Sequence, residues 1–182
     1  MPWFNKGLLL WKLGRADEGV KCYDCVIKLN PRNAEVWCNK GFILGELGRT
    51  EEELKCYDRA IELNPHFAKV WHNKGNTLGE LGRTEEQLKC YDRAIELNPR
   101  LAESWCNRGD ALVKLGRIDE GLKCFNRVIE LNPRDAAAWY NKGATLYYLK
   151  RYSEARQTLE KAVELGSAQA RQALEILKRE GH

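Results

Sequence analysis

Cysteine and histidine are the residues of this sequence best suited to nucleophilic chemistry, and three of them recur at one interval. Cys38, His72 and Cys106 follow one another 34 residues apart. A cysteine nucleophile needs its base within about 3 Å and a third group that orients that base. If this interval reflects stacked helical repeats, as predicted below, equivalent positions lie roughly 10 Å apart, which is one helix-packing distance. We therefore expect no preformed Cys–His pair and no enzymatic activity.

The remaining cysteines predict neither a metal site nor a disulfide framework. Cys22 and Cys25 form a lone Cys-x-x-Cys pair, whereas tetrahedral zinc needs four ligands. A second set of cysteines also follows the 34-residue interval: Cys22, Cys56, Cys90 and Cys124. A disulfide requires Cα atoms within about 7 Å, so residues one packing distance apart cannot pair. We expect these cysteines to be small buried residues in a reducing compartment, and we expect no cofactor.

The interval that relates these residues runs through nearly the whole chain. Tryptophan recurs at positions 3, 37, 71, 105 and 139, with glycine four residues later each time. The 22 residues from Leu44 to Pro65 recur from Leu78 to Pro99 with one change, Glu53 to Gln87. A fixed period of this length indicates a repeat architecture. The predicted repeats are residues 1–33, 34–67, 68–101, 102–135 and 136–166, in one domain 1–182 with a last helix at 167–180.

Each repeat is predicted to be two short amphipathic helices joined by a tight turn. In repeat 34–67, apolar residues fall at helical spacing in both halves. Gly48 can end the first helix in the left-handed conformation, and Thr50 can cap the second. Asn64 also tolerates the left-handed conformation, and Pro65 cannot continue a helix.

The start of the second helix predicts a capping box in two repeats. Thr50 with Glu53, and Thr84 with Gln87, have the required S/T-x-x-E/Q spacing. Where this spacing is absent, the position of Glu53 carries a small residue: Gly19, Gly121 and Ala155. In two of these repeats an aspartate, Asp17 or Asp119, can cap one residue later.

These features resemble the tetratricopeptide repeat. The pattern of that family carries a tryptophan, a glycine four residues later, an aromatic residue in the second helix, a small residue after it and a final proline. The resemblance covers residues 1–166 and implies an all-α fold, a right-handed α-solenoid of five helix–turn–helix units. A C-terminal capping helix would close it, with Ser167 as its cap and these residues for packing: Ala168, Ala173, Leu174 and Leu177. The resemblance also implies that the first helix of each unit lines a concave groove, the usual binding surface of the family.

One asparagine recurs on the predicted groove side of every repeat: Asn5, Asn39, Asn73, Asn107 and Asn141. In relatives that bind extended peptides, asparagine amides at the matching position grip the ligand backbone. An amide suits this role because it both donates and accepts hydrogen bonds. The alternative is that the same amides bond to the neighbouring helix and belong to the scaffold.

Other predicted groove residues differ between repeats and are candidates for specificity. The further predicted peptide-binding residues are Phe42, Lys69, His72, Asn76, Asp110, Tyr140 and Tyr147. The charged residues expected in the groove are Lys12, Lys69, Lys114, Glu35, Glu46, Glu80, Glu103 and Asp110, three basic and five acidic. The family's clamp for a terminal carboxylate is not expected, because His72, Ala137 and Asn141 stand where its cations belong.

Composition narrows the classes of partner. The chain carries 30 basic and 26 acidic residues, a net charge of +4, in scattered order. This balance gives no electrostatic basis for binding nucleic acid or a membrane surface. No apolar run suits a targeting segment, so we expect a cytoplasmic scaffold that binds a peptide of a partner protein. Two alternatives remain open: a structural solenoid that self-associates through its N-terminal edge, and an engineered array without a natural ligand.

Overall fold

The computed structural model describes residues 2–181, and the side chains of residues 6–181. Every regular element in this range is a helix, which confirms the all-α fold class. The helices are α1 (Pro2–Lys12), α2 (Ala16–Leu29), α3 (Ala34–Glu46), α4 (Thr50–Leu63), α5 (Ala68–Glu80), α6 (Thr84–Leu97), α7 (Ala102–Lys114), α8 (Ile118–Leu131), α9 (Ala136–Tyr148), α10 (Tyr152–Glu164) and α11 (Ala168–Arg179). None of the helices described is both long and apolar enough to cross a lipid bilayer.

The helices fall into two compact units, Met1–Asn98 and Pro99–His182. The first holds the helix pairs α1/α2, α3/α4 and α5/α6. The second holds α7/α8 and α9/α10, with α11 packed on α10 and α9. Each compact unit therefore repeats the predicted helix–turn–helix motif.

The turn inside each pair depends on one residue in the left-handed conformation. Gly48 has φ +70° between α3 and α4, as predicted, and Lys150 alone takes this role without glycine, at φ +60°. The turn after the second helix differs from the prediction, because Asn64 has φ −145° and ψ 89°, outside the left-handed region. Its side chain instead accepts a hydrogen bond from the backbone N–H of His66 at 3.1 Å. The asparagine therefore acts through an Asx turn.

The predicted close approach of the two helices at glycine is confirmed. A Cβ atom on Gly75 would lie 2.7 Å from the ring of Tyr91. Tyr91 is only 1% exposed, so the ring fills the space that a larger residue would need. The same contact joins Gly41 to Tyr57, at 2.8 Å. In the first four pairs the core is thus an aromatic ring packed against a glycine, and in α9/α10 Leu159 takes the place of the ring, 2.7 Å from a Cβ atom on Gly143.

The predicted capping boxes are wrong. Helix α4 begins at Thr50 itself, its N-cap is Arg49, and no side chain caps it. Because Thr50 already lies inside the helix, its hydroxyl is not placed to accept from the free N–H groups. Arg49 instead donates two hydrogen bonds of 2.7 Å to Glu52. The second helix of every pair begins with the same ion pair, between the N-cap arginine and a glutamate of the first turn: Arg15–Glu18, Arg49–Glu52, Arg83–Glu86, Arg117–Glu120 and Arg151–Glu154.

The aspartates proposed as caps are also inside their helices. Asp17 lies in the first turn of α2 and Asp119 in the first turn of α8, and neither helix has a side-chain cap. In contrast, Ser167 caps α11 as predicted, and its Oγ accepts from the N–H of Ala170 at 3.2 Å. Leu177 is fully buried in the core of this end. Ala168 is exposed, so its predicted packing role is wrong.

The covariation that suggested a capping box has a steric cause. A Cβ atom on Gly45 would lie 2.6 Å from Oε1 of Glu53, so glycine in the first helix leaves space for a long side chain in the second. The opposite arrangement joins Val113 to Gly121, where a Cβ atom on the glycine would lie 2.6 Å from the valine methyl group. The five pairs at these positions are Trp11/Gly19, Gly45/Glu53, Gly79/Gln87, Val113/Gly121 and Tyr147/Ala155. Each pair combines one large and one small residue, and a Cβ atom on the glycine would meet the larger partner in Gly45/Glu53, Gly79/Gln87 and Val113/Gly121.

Four of the periodic tryptophans connect the first helix of their pair to the loop before it. The indole Nε1 of Trp37 donates to the carbonyl oxygen of Pro31 at 3.0 Å. Trp71, Trp105 and Trp139 make the same bond to Pro65, Pro99 and Pro133, at 3.0, 3.1 and 3.0 Å. The recurring proline and tryptophan are thus partners in one contact.

Candidate functional site

The compact unit Met1–Asn98 contains a cavity between α3, α4 and α5 with a volume of about 200 Å³. Its lining residues are Phe42, Gly45, Glu46, Glu53, Tyr57, Asn73, Asn76, Thr77 and Glu80. Three of the predicted groove residues, Phe42, Asn73 and Asn76, meet here. No lysine or arginine is found among these lining residues.

The deepest charged group of the cavity is the carboxylate of Glu53, whose residue is only 7% exposed. Its Oε1 accepts a hydrogen bond of 2.8 Å from the Thr77 hydroxyl, and the hydroxyl of Tyr57 is its second donor. Burial raises the pKa of Glu53 above its ordinary value, and the nearby carboxylates of Glu80 and Glu46 raise that pKa further. Both donors are neutral, so the fold gives this carboxylate hydrogen bonds but no opposite charge.

The asparagine ladder is partly buried, and two of its amides have partners within the fold. Asn73 donates to the Sγ atom of Cys38 at 3.8 Å and to the hydroxyl oxygen of Tyr57. In the other compact unit, Asn141 donates to the Sγ atom of Cys106 at 3.5 Å and to Oδ1 of Asp110 at 3.3 Å. These contacts favour the scaffold role for the amide N–H groups.

The other members of the ladder are less informative. Asn39 and Asn107 are partly buried on α3 and α7. The side chain of Asn5 lies outside the described residues. Whether any of the five contacts a ligand stays a prediction.

His72 and Asn76 belong to a hydrogen-bonded cluster rather than to an open surface. His72 is 7% exposed, and its Nε2 lies 3.2 Å from Nδ2 of Asn76. The hydroxyl of Tyr91 donates to Oδ1 of Asn76 at 2.7 Å and accepts from Nε2 of Gln87 at 3.2 Å. Gln87 thus occupies the position of Glu53 with a neutral amide.

Two further predicted residues of the first compact unit are accessible to different degrees. Phe42 is partly buried, and its ring meets the edge of Trp11 with centroids 4.9 Å apart. Lys69 is exposed near the start of α5 and does not line the cavity. A ligand in the cavity would therefore contact Phe42 directly.

The predicted residues of the second compact unit lie on α7 and α9. Asp110 is partly buried, and burial raises the pKa of its carboxyl group. Tyr140 and Tyr147 pack partly against the core of α9, α10 and α11. The hydroxyl of Tyr147 donates to Oε2 of Glu180 at 2.6 Å, so the carboxylate of Glu180 occupies its polar end.

The environment of Cys38 and Cys106 is unsuited to nucleophilic catalysis. Burial raises the pKa of the Cys38 thiol to about 11, and that of Cys106 also to about 11. A thiol with such a pKa is almost fully protonated at neutral pH, whereas the thiolate is the nucleophile. Among the described residues, no group of three or more His, Cys, Asp or Glu side chains is arranged to hold a metal ion.

Sequence reasoning missed Glu53 and Thr77 as site residues. The signal was available, since Glu53 to Gln87 is the only change within the duplicated 22 residues. The capping-box spacing offered a local explanation for that change. It therefore drew attention away from the contact of Glu53 with Thr77 on the next helix pair.

Family models match the chain in overlapping segments. The tetratricopeptide repeat models match residues 2–33, 34–67, 56–89 and 106–173, and a TPR repeat model matches residues 75–116. The chain belongs to the tetratricopeptide repeat family. Proteins of this family mediate protein–protein interactions, so the chain is a protein-interaction scaffold.

Solved structures agree with this tetratricopeptide repeat fold. The crystal structure of MamA has a TM-score of 0.81 at 20% identity, over 91% of this chain and 96% of that one. PilF of Pseudomonas aeruginosa has a TM-score of 0.83 at 18% identity, over 91% of this chain and 76% of that one. YrrB, described as a TPR protein with an unusual peptide-binding site, has a TM-score of 0.78 at 25% identity, over 96% of this chain and 91% of that one. A comparison with curated proteins found no match.

Proposed function

We propose that this tetratricopeptide repeat chain binds an extended peptide segment of a partner protein along its first helices. The observation that carries the proposal is the cavity between α3, α4 and α5, where Phe42, Asn73 and Asn76 meet. Such a cavity combines an apolar wall with amide groups, which suits a peptide that offers both side chains and backbone polar groups. The similarity to YrrB, a TPR protein with a peptide-binding site, supports the same class of ligand.

The contacts of the asparagines refine how a peptide would be held. The N–H groups of Asn73 and Asn141 already donate within the fold. Their carbonyl oxygens are the groups left for a ligand, so Asn73 and Asn141 would accept hydrogen bonds from peptide N–H groups. An amide can serve both sides in this way because it donates and accepts through different atoms.

A selection from a peptide library tests this proposal. Affinities of the selected peptides are then measured by calorimetry for the parent and for the double variant Asn73→Ala/Asn107→Ala. We expect the double variant to bind about 1–3 kcal/mol more weakly while its helix content is unchanged. The matched control is Lys89→Ala/Lys123→Ala, on exposed positions of the second helices. Equal affinity of parent and double variant would show that the ladder is scaffold alone.

A second candidate function, self-association through α1, is favoured by one exposed residue. Leu9 is 56% exposed. Its equivalents in the later repeats are all buried: Ile43, Thr77, Ala111 and Thr145. Light scattering of the parent and of Leu9→Glu over a range of concentrations tests this candidate. A mass that stays monomeric for both chains contradicts it.

A further inference from the structure

The cavity between α3, α4 and α5 concentrates negative charge in a chain that is positive as a whole. Glu46, Glu53 and Glu80 all line it, whereas the net charge of the chain is +4. Burying a carboxylate is costly unless it is paired with an opposite charge. Glu53 is 7% exposed and bonds to two neutral hydroxyl groups. The described residues thus leave its charge without a counter-charge.

The fold does not require this charge. The stretch Leu78–Pro99 repeats Leu44–Pro65 and carries Gln87 in place of Glu53. Gln87 packs against Gly79 as Glu53 packs against Gly45. Its amide Nε2 donates to the hydroxyl of Tyr91 at 3.2 Å. A neutral amide therefore fits the equivalent position of the next helix pair. Packing alone does not explain why Glu53 carries a charged carboxylate.

The shape and walls of the cavity suit the end of a long basic side chain. Phe42 supplies an apolar wall, against which the methylene stem of a lysine or arginine can lie. Glu46 and Glu80 are exposed at its border and would attract a cation towards it. The volume of about 200 Å³ is sufficient for one ammonium or guanidinium group with part of its stem.

We propose that this cavity is a subsite for a basic side chain, lysine or arginine, of the bound peptide, and that Glu53 is its counter-charge. The inference rests on the proposed function and adds the residue class that the peptide must carry. The cation would remove the unpaired charge of Glu53, so that binding and burial reinforce each other. The duplicated repeat, with Gln87, would lack this preference.

The test uses single-residue probes, so that it does not depend on knowing the natural peptide. N-acetylarginine N-methylamide and N-acetyllysine N-methylamide are titrated into the ¹⁵N-labelled chain, and amide shifts of α3, α4 and α5 are followed. N-acetylcitrulline N-methylamide is the neutral probe of nearly the same shape as the arginine probe. We expect at least one basic probe to shift the resonances of Gly45 and Thr77, and the citrulline probe to bind at least ten-fold more weakly.

The decisive variant is Glu53→Gln, which copies the residue of the next repeat and is therefore expected to fold. We expect it to weaken the basic probe at least ten-fold, to the level of the citrulline probe. The matched control is Glu51→Gln, which removes the same charge from an exposed position of the same helix and should leave probe affinity within two-fold.

The outcomes separate the subsite from the proposed function. Equal binding of the basic probes to the parent and to Glu53→Gln overturns the subsite. Equal binding of the arginine and citrulline probes to the parent also overturns it, and leaves peptide binding standing. The absence of shifts with every probe overturns the subsite as well, while the library selection decides independently whether any peptide binds.

Discussion

Replacing Gly45 by valine should place a branched side chain where the carboxylate of Glu53 now lies. The new Cβ atom would lie 2.6 Å from Oε1 and 2.7 Å from Cδ of Glu53. Overpacking of this kind costs about 1–3 kcal/mol. Valine is also a better helix former than glycine, which offsets roughly a few tenths of a kcal/mol of this cost. Gly45→Val alone should therefore destabilise the fold by about 1–2 kcal/mol.

The second change, Glu53→Gly, removes the side chain that causes this clash. On its own it costs about 1 kcal/mol for a glycine inside a helix. It also loses the 2.8 Å bond from Thr77, which is worth roughly 1.5–3 kcal/mol for a charged acceptor. Thr77 is not left unpaired, because its hydroxyl also lies 3.2 Å from the carbonyl oxygen of Asn73.

The double variant recreates the pair Val113/Gly121 that the chain already uses in a later repeat. The steric cost of the valine disappears when the glutamate is absent, so the two single costs should not add. We expect the double variant to lose about 1–3 kcal/mol less stability than the sum of the two single losses. Urea unfolding followed by circular dichroism measures the four free energies of this cycle.

The control cycle pairs Gly45→Val with Lys55→Gly. Lys55 is exposed on the same helix as Glu53, so it carries the same glycine cost without the contact. Its coupling energy should lie within about 0.5 kcal/mol of zero. A coupling as small as this in the Gly45/Glu53 cycle would refute the shared space between the two positions.

Three further predictions concern single residues. The pKa of Glu53 is raised in the folded state, so its contribution to stability is present at low pH and is lost as pH rises through the folded pKa. Glu53→Gln should thus raise the free energy of unfolding by on the order of 1 kcal/mol at pH 7 and lose this advantage near pH 4; equal urea midpoints at pH 7 would contradict it. Gly75→Leu should overpack against Tyr91 and cost about 1–3 kcal/mol in the same assay, and an unchanged midpoint would mean that the helices are not in close contact. Ser167→Ala should cost about 1 kcal/mol and speed hydrogen exchange at Ala170, whereas unchanged exchange would show that the cap is dispensable.

The sequence was sufficient for the helix pairs because their determinants are local and repeated. Tryptophan and glycine at constant spacing predicted the close approach that Gly75 and Tyr91 make, and Gly48 predicted the turn. The capping box failed because its spacing is also that of two residues inside one helix turn. A cap at Thr50 would have required α4 to begin at Glu51. The helix begins at Thr50, one residue earlier, and the spacing alone does not reveal this start.

The site was less predictable, since its contacts join residues that are distant in sequence. The resemblance predicted that Asn73 lies on the peptide-binding face of its helix. It could not predict that the amide donates to Cys38 and Tyr57. Glu53 reaches Thr77 on the next helix pair, and nothing in the local sequence distinguishes it from the exposed glutamates beside it. Only the relative placement of α4 and α5 gives that side chain its burial and its raised pKa.

The hydrogen bonds from the indoles to the prolines make this chain a set of matched optical probes. Trp37, Trp71, Trp105 and Trp139 each join a helix to the loop before it in the same geometry. An indole that leaves its carbonyl partner for water changes its emission, because its N–H is a polar group on a large apolar ring. Variants that keep one of these four, with every other tryptophan replaced by phenylalanine, would report on one junction at a time. The stability of each repeat depends on contacts with its neighbours. The emission wavelength of such variants would therefore report the order in which the junctions separate during unfolding.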